Sequence, residues 1–549
     1  MVDQSHKTRS VDVDAVIVGA GFSGLYMLHR LQELGFTARV LEAAEGVGGT
    51  WYWNRYPGAR CDSESHYYCY AFSDEIRKAW QWSCRYPAQA EILAYLNFVA
   101  DRLDLKKSIT FGTRVTAGHF DEASHAWKVE TDGSETVRAR FLITGVGNTS
   151  TPNIPNLPGL ETFSGKVYHT GLWPHEKVDL TGQRVALIGT GSSGIQSAPM
   201  IAEDAKHLTV FQRTASYSVP ARNHELTDEM RRAQSDNYEE HRRLTLASPI
   251  GMPFEPAQVS ALEITPEERQ AKLDALWGIG GFRFMFTSFN DIVLDKQANA
   301  VVSDYISRKI RDKVRDPAVA DILCDFNHPA GTKRPPIDTD YYETFNRDNV
   351  SIVSVRANPI RKATTDGLVM ENGDHHALDA IVFATGFDTV TGTLIKLNLH
   401  GKGGQSLADN WKHGPRAFLG LCTAGFPNLF MITGPGSPGI LTNFPVCIEQ
   451  NVDWIANVMN RMRETEAIEI EASPAAQSEW VRMIVEAADK TLFPTVDSWY
   501  MNSNLPGKPR VFTAYFSGMN SYAEICADIA MRGYDGFDLR SRETADAAA

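Results

Sequence analysis

Two short apolar runs, each ending in a Gly-x-Gly-x-x-Gly turn that opens a helical stretch, predict an α/β chain with two Rossmann-like dinucleotide-binding domains. A Glu-, Arg-, Gln- and Ala-rich stretch from about 226 to 333, helical in period, adds a third feature. Strand character returns after it at 351–355 and 380–384, so it reads as a helical insertion in the second domain.

Each element follows from local pattern. Residues 13–18, Val-Asp-Ala-Val-Ile-Val, read as a buried parallel strand ending on glycine. Leu25, Leu28, Leu31 and Leu34 then share one helical face, and Gly35 stands as the C-terminal stop. A second strand, 37–41, ends at Glu42. The same grammar recurs at 184–188, 193–202 and 208–211, about 170 residues later. That spacing is duplication of a nucleotide-binding unit, not a solenoid repeat. The expected division is a discontinuous first domain, 8–150 with 389–540, and a second, 151–225 with 334–388. The helical insertion occupies 226–333, and polar stretches at 1–7 and 541–549 read as flexible tails.

Composition narrows the function classes. At 549 residues the chain is too long for one core, and 43% hydrophobic with 22% charged content suits an ordinary globular protein. A formal net charge of −13 argues against a nucleic-acid surface. No apolar run reaches the ~18 residues of a membrane span, and the polar N-terminus lacks the apolar centre of a signal peptide. The seven cysteines are scattered without a Cys-x-x-Cys pair, so they read as free thiols, with the cytoplasm as the expected compartment. A monomer or weak homo-oligomer is expected.

The chemistry begins at the glycines. In Gly19-Ala-Gly21-Phe22-Ser23-Gly24, Gly19 permits the tight turn, Gly21 lets backbone approach a pyrophosphate, and Gly24 lets helix pack on strand. Glu42 stands 23 positions after Gly19, where a carboxylate can accept hydrogen bonds from a ribose diol. In Gly189-Thr190-Gly191-Ser192-Ser193-Gly194 the corresponding position is Gln212, followed by Arg213 and Thr214. A carboxylate there would repel a 2′-phosphate, whereas guanidinium pairs with it through parallel bonds. The first turn therefore fits FAD and the second NADP. Arg213 alone would read as a solvated surface charge; its register carries the assignment.

Between the turns lies Phe163-Ser-Gly165-Lys-Val-Tyr-His169-Thr-Gly-Leu-Trp173-Pro174, and upstream lies Gly48-Gly49-Thr50-Trp51-Tyr-Trp-Asn-Arg55-Tyr56-Pro57-Gly58-Ala-Arg60-Cys-Asp62. These resemble the two signatures of the Baeyer–Villiger monooxygenases, and the similarity covers nearly the whole chain. The resemblance implies an FAD- and NADPH-dependent enzyme that inserts one oxygen atom from O2 beside a ketone carbonyl through a C4a-peroxyflavin. The product is an ester or lactone. Such chemistry needs a cation beside the flavin. By the resemblance, Arg334 is that catalytic cation, Asp62 orients it, and Lys333 holds the 2′-phosphate with Arg213. Gly49, Thr50 and Trp51 fall on the flavin side. His169 is read as coupling domain motion and Trp173 as interface packing. The 434–444 loop, with Pro438, Gly439, Ile440, Leu441 and Phe444, implies a substrate pocket, and its length resembles the phenylacetone branch. Trp499, ahead of Asn504 and Lys508, matches a mobile-loop tryptophan that closes over NADP. The segment Phe282-Arg-Phe-Met-Phe-Thr287 resembles the cyclohexanone type instead, which leaves substrate size open.

Three rivals remain. A flavin-containing monooxygenase acting on nitrogen or sulfur shares both turns, but Trp173-Pro174 and the Asp62/Arg334 pair favour a ketone. A disulfide reductase needs a redox-active cysteine pair, which is absent. A non-catalytic flavin redox sensor would have no use for Arg334.

Overall fold

The computed structural model describes residues 12–541. The tails expected at 1–7 and 541–549 lie outside the described residues, except Ser541, which closes the strand Phe537–Ser541.

Among the described residues, the first large sheet has eight strands. Its parallel centre is Val13–Val18, flanked by Ala38–Leu41 and Thr136–Thr144. Ile109–Thr110 pairs outside Ala38–Leu41, and Leu429–Met431 runs parallel on the free half of Thr136–Thr144. Val115–Asp121 and Ala126–Thr131 extend the same sheet as an antiparallel meander, and Leu399–His400 pairs parallel on its outer edge. Ala15, Val16 and Ile17 are wholly buried, as a strand covered on both faces requires. The helix Phe22–Glu33 turns Leu25, Leu28 and Leu31 into the core, and Gly35 (φ +75°) ends it. This helix packs on the late helix Phe444–Glu464, where Asp453 accepts hydrogen bonds from Tyr26 Oη (2.8 Å) and Arg30 Nε (3.0 Å).

The second large sheet has five strands, all parallel, in the order Val350–Ser354, His207–Gln212, Arg184–Ile188, Ala380–Phe383, Lys166–His169. Its strands come from both sides of a helical stretch that runs from Asp228–Asp236 through Pro317–Leu323. A two-residue parallel bridge, Val219–Pro220 with Ile337–Asp338, joins the chain entering that stretch to the chain leaving it. Both large sheets thus present the carboxyl ends of their central strands to a shared cleft, where open parallel sheets bind ligands.

Candidate active site

The two glycine turns have the same backbone. Gly19 (φ +99°) and Gly189 (φ +113°) adopt a conformation that side chains rarely take. A Cβ on Gly24 would be driven into the Gly19 carbonyl oxygen, and one on Gly194 into that of Gly189. Each following helix, Phe22–Glu33 or Ser192–Asp204, is capped by a glycine that offers no side-chain cap. Its first amides are left for an incoming ligand, which suits a phosphate.

Both turns open on one cavity of about 1240 Å³. Gly21, Phe22, Ser23, Gly49, Thr50, Trp51 and Asp62 line it on one side; Gly189, Thr190, Gly191, Ser192, Ser193, Arg213, Thr214 and Lys333 line it on the other. Arg334, Phe444 and Trp499 complete the set of expected residues on its wall. Trp51 is held by its indole N–H, which donates to Tyr68 Oη at 3.2 Å.

The residues beyond the turns behave differently. Glu42 is 4% exposed and sits off the cavity wall. Its carboxylate accepts the amides of Ala20 (2.5 Å) and Ala44 (2.8 Å), bracing the first turn from below. Burial raises its pKa despite those bonds. Arg213, by contrast, is exposed and has no hydrogen bond or ion pair among the described residues. Burial, then the Arg213 charge, lowers the pKa of Lys333. Two neighbouring cations, opposed at Lys333 only in part by the Asp497 carboxylate, form a site suited to a phosphate.

Arg334 lies where the two halves meet. Its Nε donates to Asp62 Oδ2 at 2.6 Å and its Nη2 to Asp62 Oδ1 at 3.0 Å, a bidentate pair across 272 positions of sequence. Burial works against the guanidinium charge, but the Asp62 carboxylate outweighs it and holds the pKa above its ordinary value. Asp62 spends both oxygens on Arg334, while other guanidinium N–H groups remain for the cavity that Arg334 lines.

Comparison with known proteins decides the family. The pyridine nucleotide-disulphide oxidoreductase family pattern matches residues 16–242. A Baeyer–Villiger monooxygenase of Pseudooceanicola batsensis is 43% identical over 97% of this chain and 97% of its own. The chain belongs to the Baeyer–Villiger monooxygenase family. A phenazine N-monooxygenase of Lysobacter antibioticus is also 43% identical, over 96% of this chain and 97% of its own. The solved structure of an oxidised steroid monooxygenase bound to NADP superposes with a TM-score of 0.92 at 47% identity, covering 96% of this chain and 99% of that one.

In this Baeyer–Villiger chain, His169 and Trp173 stand back from the cavity. His169 Nδ1 accepts the Gly171 amide at 3.0 Å, so the neutral ring carries its proton on Nε2, 3.4 Å from Thr385 Oγ1. Burial lowers its pKa, which favours that neutral form. Thr385 in turn donates to the Asn153 carbonyl at 2.6 Å, so the histidine braces the two crossings between the large sheets. Trp173 is buried in the second core, against Tyr168.

The 434–444 loop departs from expectation. Pro438, Gly439, Ile440 and Leu441 do not reach the cavity wall; only Phe444 does, with Thr433 and Ile448. Gly439–Leu441 forms a 3-10 turn whose Ile440 points into the first core, because an apolar side chain there is better buried than wet. Gln196 was missed. Its amide accepts from Tyr56 Oη (2.8 Å) and donates to the Arg60 carbonyl (3.1 Å), tying the segment before Asp62 to the helix of the second turn. The signal for it was a polar residue two positions past Gly194, on the face that a glycine had opened.

Proposed function

We propose that this chain binds FAD at Gly19–Gly24 and NADPH at Gly189–Gly194 and converts ketones to esters or lactones, with Arg334 as the catalytic cation. The observation that carries this reading is the bidentate Arg334–Asp62 pair on the wall of a cavity shared by both turns. The open amides at Gly21–Ser23, the Gly48–Gly49 backbone against Gly21, and Trp51 would hold the flavin. Glu42 shapes that turn from beneath. Arg213 and Lys333 would hold the 2′-phosphate, with Thr190 to Ser193 on the pyrophosphate. The division into 8–150 with 389–540, 151–225 with 334–388, and an insertion at 226–333 follows the cofactor sites. Seven free cysteines support the cytoplasm as the compartment.

Reduced FAD supplies activated O2 as an oxygen nucleophile when bound. When that nucleophile meets a carbonyl carbon, negative charge develops on the carbonyl oxygen. The N–H groups of Arg334 not spent on Asp62 can donate to that oxygen, and their charge persists at any working pH. Asp62 fixes the guanidinium plane without neutralising every donor. Trp499 and the segment after it cover the nucleotide side and restrict water.

Arg334→Ala tests the reading. Reduction of the flavin by NADPH should survive, while ester or lactone formation falls by about 10²–10³-fold, the usual effect of removing one oxyanion donor. Product yield at the wild-type level would sink the assignment. A panel of cyclic, aryl-alkyl and polycyclic ketones, with products identified by mass spectrometry, supplies the substrate.

The phenazine N-monooxygenase relative favours a second reading, oxygen transfer to an aromatic nitrogen. No carbonyl oxyanion forms in that reaction, so N-oxidation of phenazine should tolerate Arg334→Ala where ketone oxidation does not. Equal loss of both activities would mean that Arg334 serves a step they share.

A further inference from the structure

Arg334 is gripped from more than one direction. Asp62 holds its Nε and Nη2 edge. Its flat face lies on the ring of Phe282, with 4.6 Å between the guanidinium carbon and the ring centroid. Phe282 belongs to the helical stretch between the halves of the second sheet, at the start of the short helix Phe282–Thr287. It is 1% exposed and does not line the cavity, so it is placed to act on Arg334 and not on a substrate.

The ring has little freedom. Phe286 meets it edge-to-face at 5.7 Å, and the second core surrounds it. Gly280 (φ +72°) and Gly281 (φ +67°) turn the chain just before it. A Cβ on Gly281 would be driven into the Tyr86 hydroxyl. Tyr86 has little room to retreat, because its ring is buried in the second core. The glycine pair therefore helps to fix where the Phe282 ring lies, against the face of a guanidinium whose plane Asp62 defines.

We propose that Phe282 is a positioning residue for oxygen insertion. Its π face holds the Arg334 guanidinium in the plane that Asp62 defines and takes none of its N–H donors. A polar neighbour at that face would compete for those donors; an aliphatic one would fill the space without attracting the cation. A ring at 4.6 Å does neither. The proposal rests on the reading of Arg334 as the group that meets the developing oxyanion.

The test replaces Phe282, in the full-length FAD-loaded enzyme, with phenylalanines carrying one, two and three ring fluorines. Fluorination changes volume little but drains the ring quadrupole stepwise. With the best-converted ketone of the panel, product formation should fall with each fluorine, by on the order of tenfold at the third. Flavin reduction by NADPH and the KM for NADPH should stay within about twofold, since neither requires Arg334 to face a carbonyl. H2O2 release per NADPH should rise in parallel. Phe282→Trp, which keeps a π face, should retain more product formation than Phe282→Leu. A flat fluorine series overturns the proposal even if Phe282→Leu is slow, because a slow leucine variant beside a flat series reflects packing alone. Arg334→Ala separates the two readings. If it abolishes product formation while the fluorine series is flat, only the Phe282 role fails; if it leaves product formation intact, the role of Arg334 fails first.

Discussion

On its Cβ side Gly21 is packed against a neighbouring segment, whereas Gly191 faces open space there. A Cβ on Gly21 would meet the Gly49 Cα at 3.4 Å, and the Gly48 amide donates to the Ala20 carbonyl at 2.9 Å, so a second glycine pair closes over the first turn. A Cβ on Gly191 would meet nothing within 4 Å. The residues beyond the turns follow the same division. Glu42 is sealed by two backbone amides, while Arg213 stands exposed without a partner among the described residues. One fingerprint thus serves two ends. A turn packed from behind by a second glycine pair suits a flavin that stays through many cycles, and one without that packing suits a nicotinamide that exchanges.

The comparison breaks most sharply at its glycines. Gly24→Ala drives a methyl into the Gly19 carbonyl, and the buried helix has to lift from the turn. The expected cost is on the order of 3–5 kcal/mol, seen as protein that is insoluble or lacks flavin absorbance. Gly191→Ala, with open space before it, should fold and keep its flavin. Its methyl enters the nucleotide cleft, so the KM for NADPH should rise on the order of tenfold. If Gly191→Ala loses its flavin as Gly24→Ala does, the space before Gly191 is not open as described.

A charge contact sharpens the second site. Arg213→Ala should raise the KM for NADPH by about 10- to 100-fold, the worth of a charge-assisted phosphate contact, with much less change for NADH. Equal loss with both cofactors would make Arg213 a structural residue.

How far the sequence reached depended on the range of each signal. The strands, the glycine turns and the leucine face of the first helix are local patterns, and the structure places them within a residue or two of their reading. Asp62 and Arg334 lie 272 positions apart, and only the family resemblance joined them. The 434–444 segment shows the limit. Its Gly and Pro content announces a turn, but not that Ile440 faces the core while Phe444 faces the cavity. Gln196 and Phe282 were equally hidden, since each matters through a partner from another part of the chain: Tyr56 and Arg60 for one, Arg334 for the other.

The smallest expected effect depends on pH. Burial and the Arg213 charge depress the pKa of Lys333, so its ammonium loses its proton at lower pH than an ordinary lysine. A neutral amine no longer attracts phosphate. The kcat/KM for NADPH, which reports groups of the free enzyme, should therefore be highest below the Lys333 pKa and fall as pH rises through it. The kcat/KM for NADH, which carries no 2′-phosphate, should lack that limb. Removing Arg213 removes the repulsion, so in Arg213→Ala the weaker NADPH profile should begin its fall at higher pH. A limb that stays in place in that variant would mean that burial alone depresses the Lys333 pKa and that the Arg213 charge does not act on it.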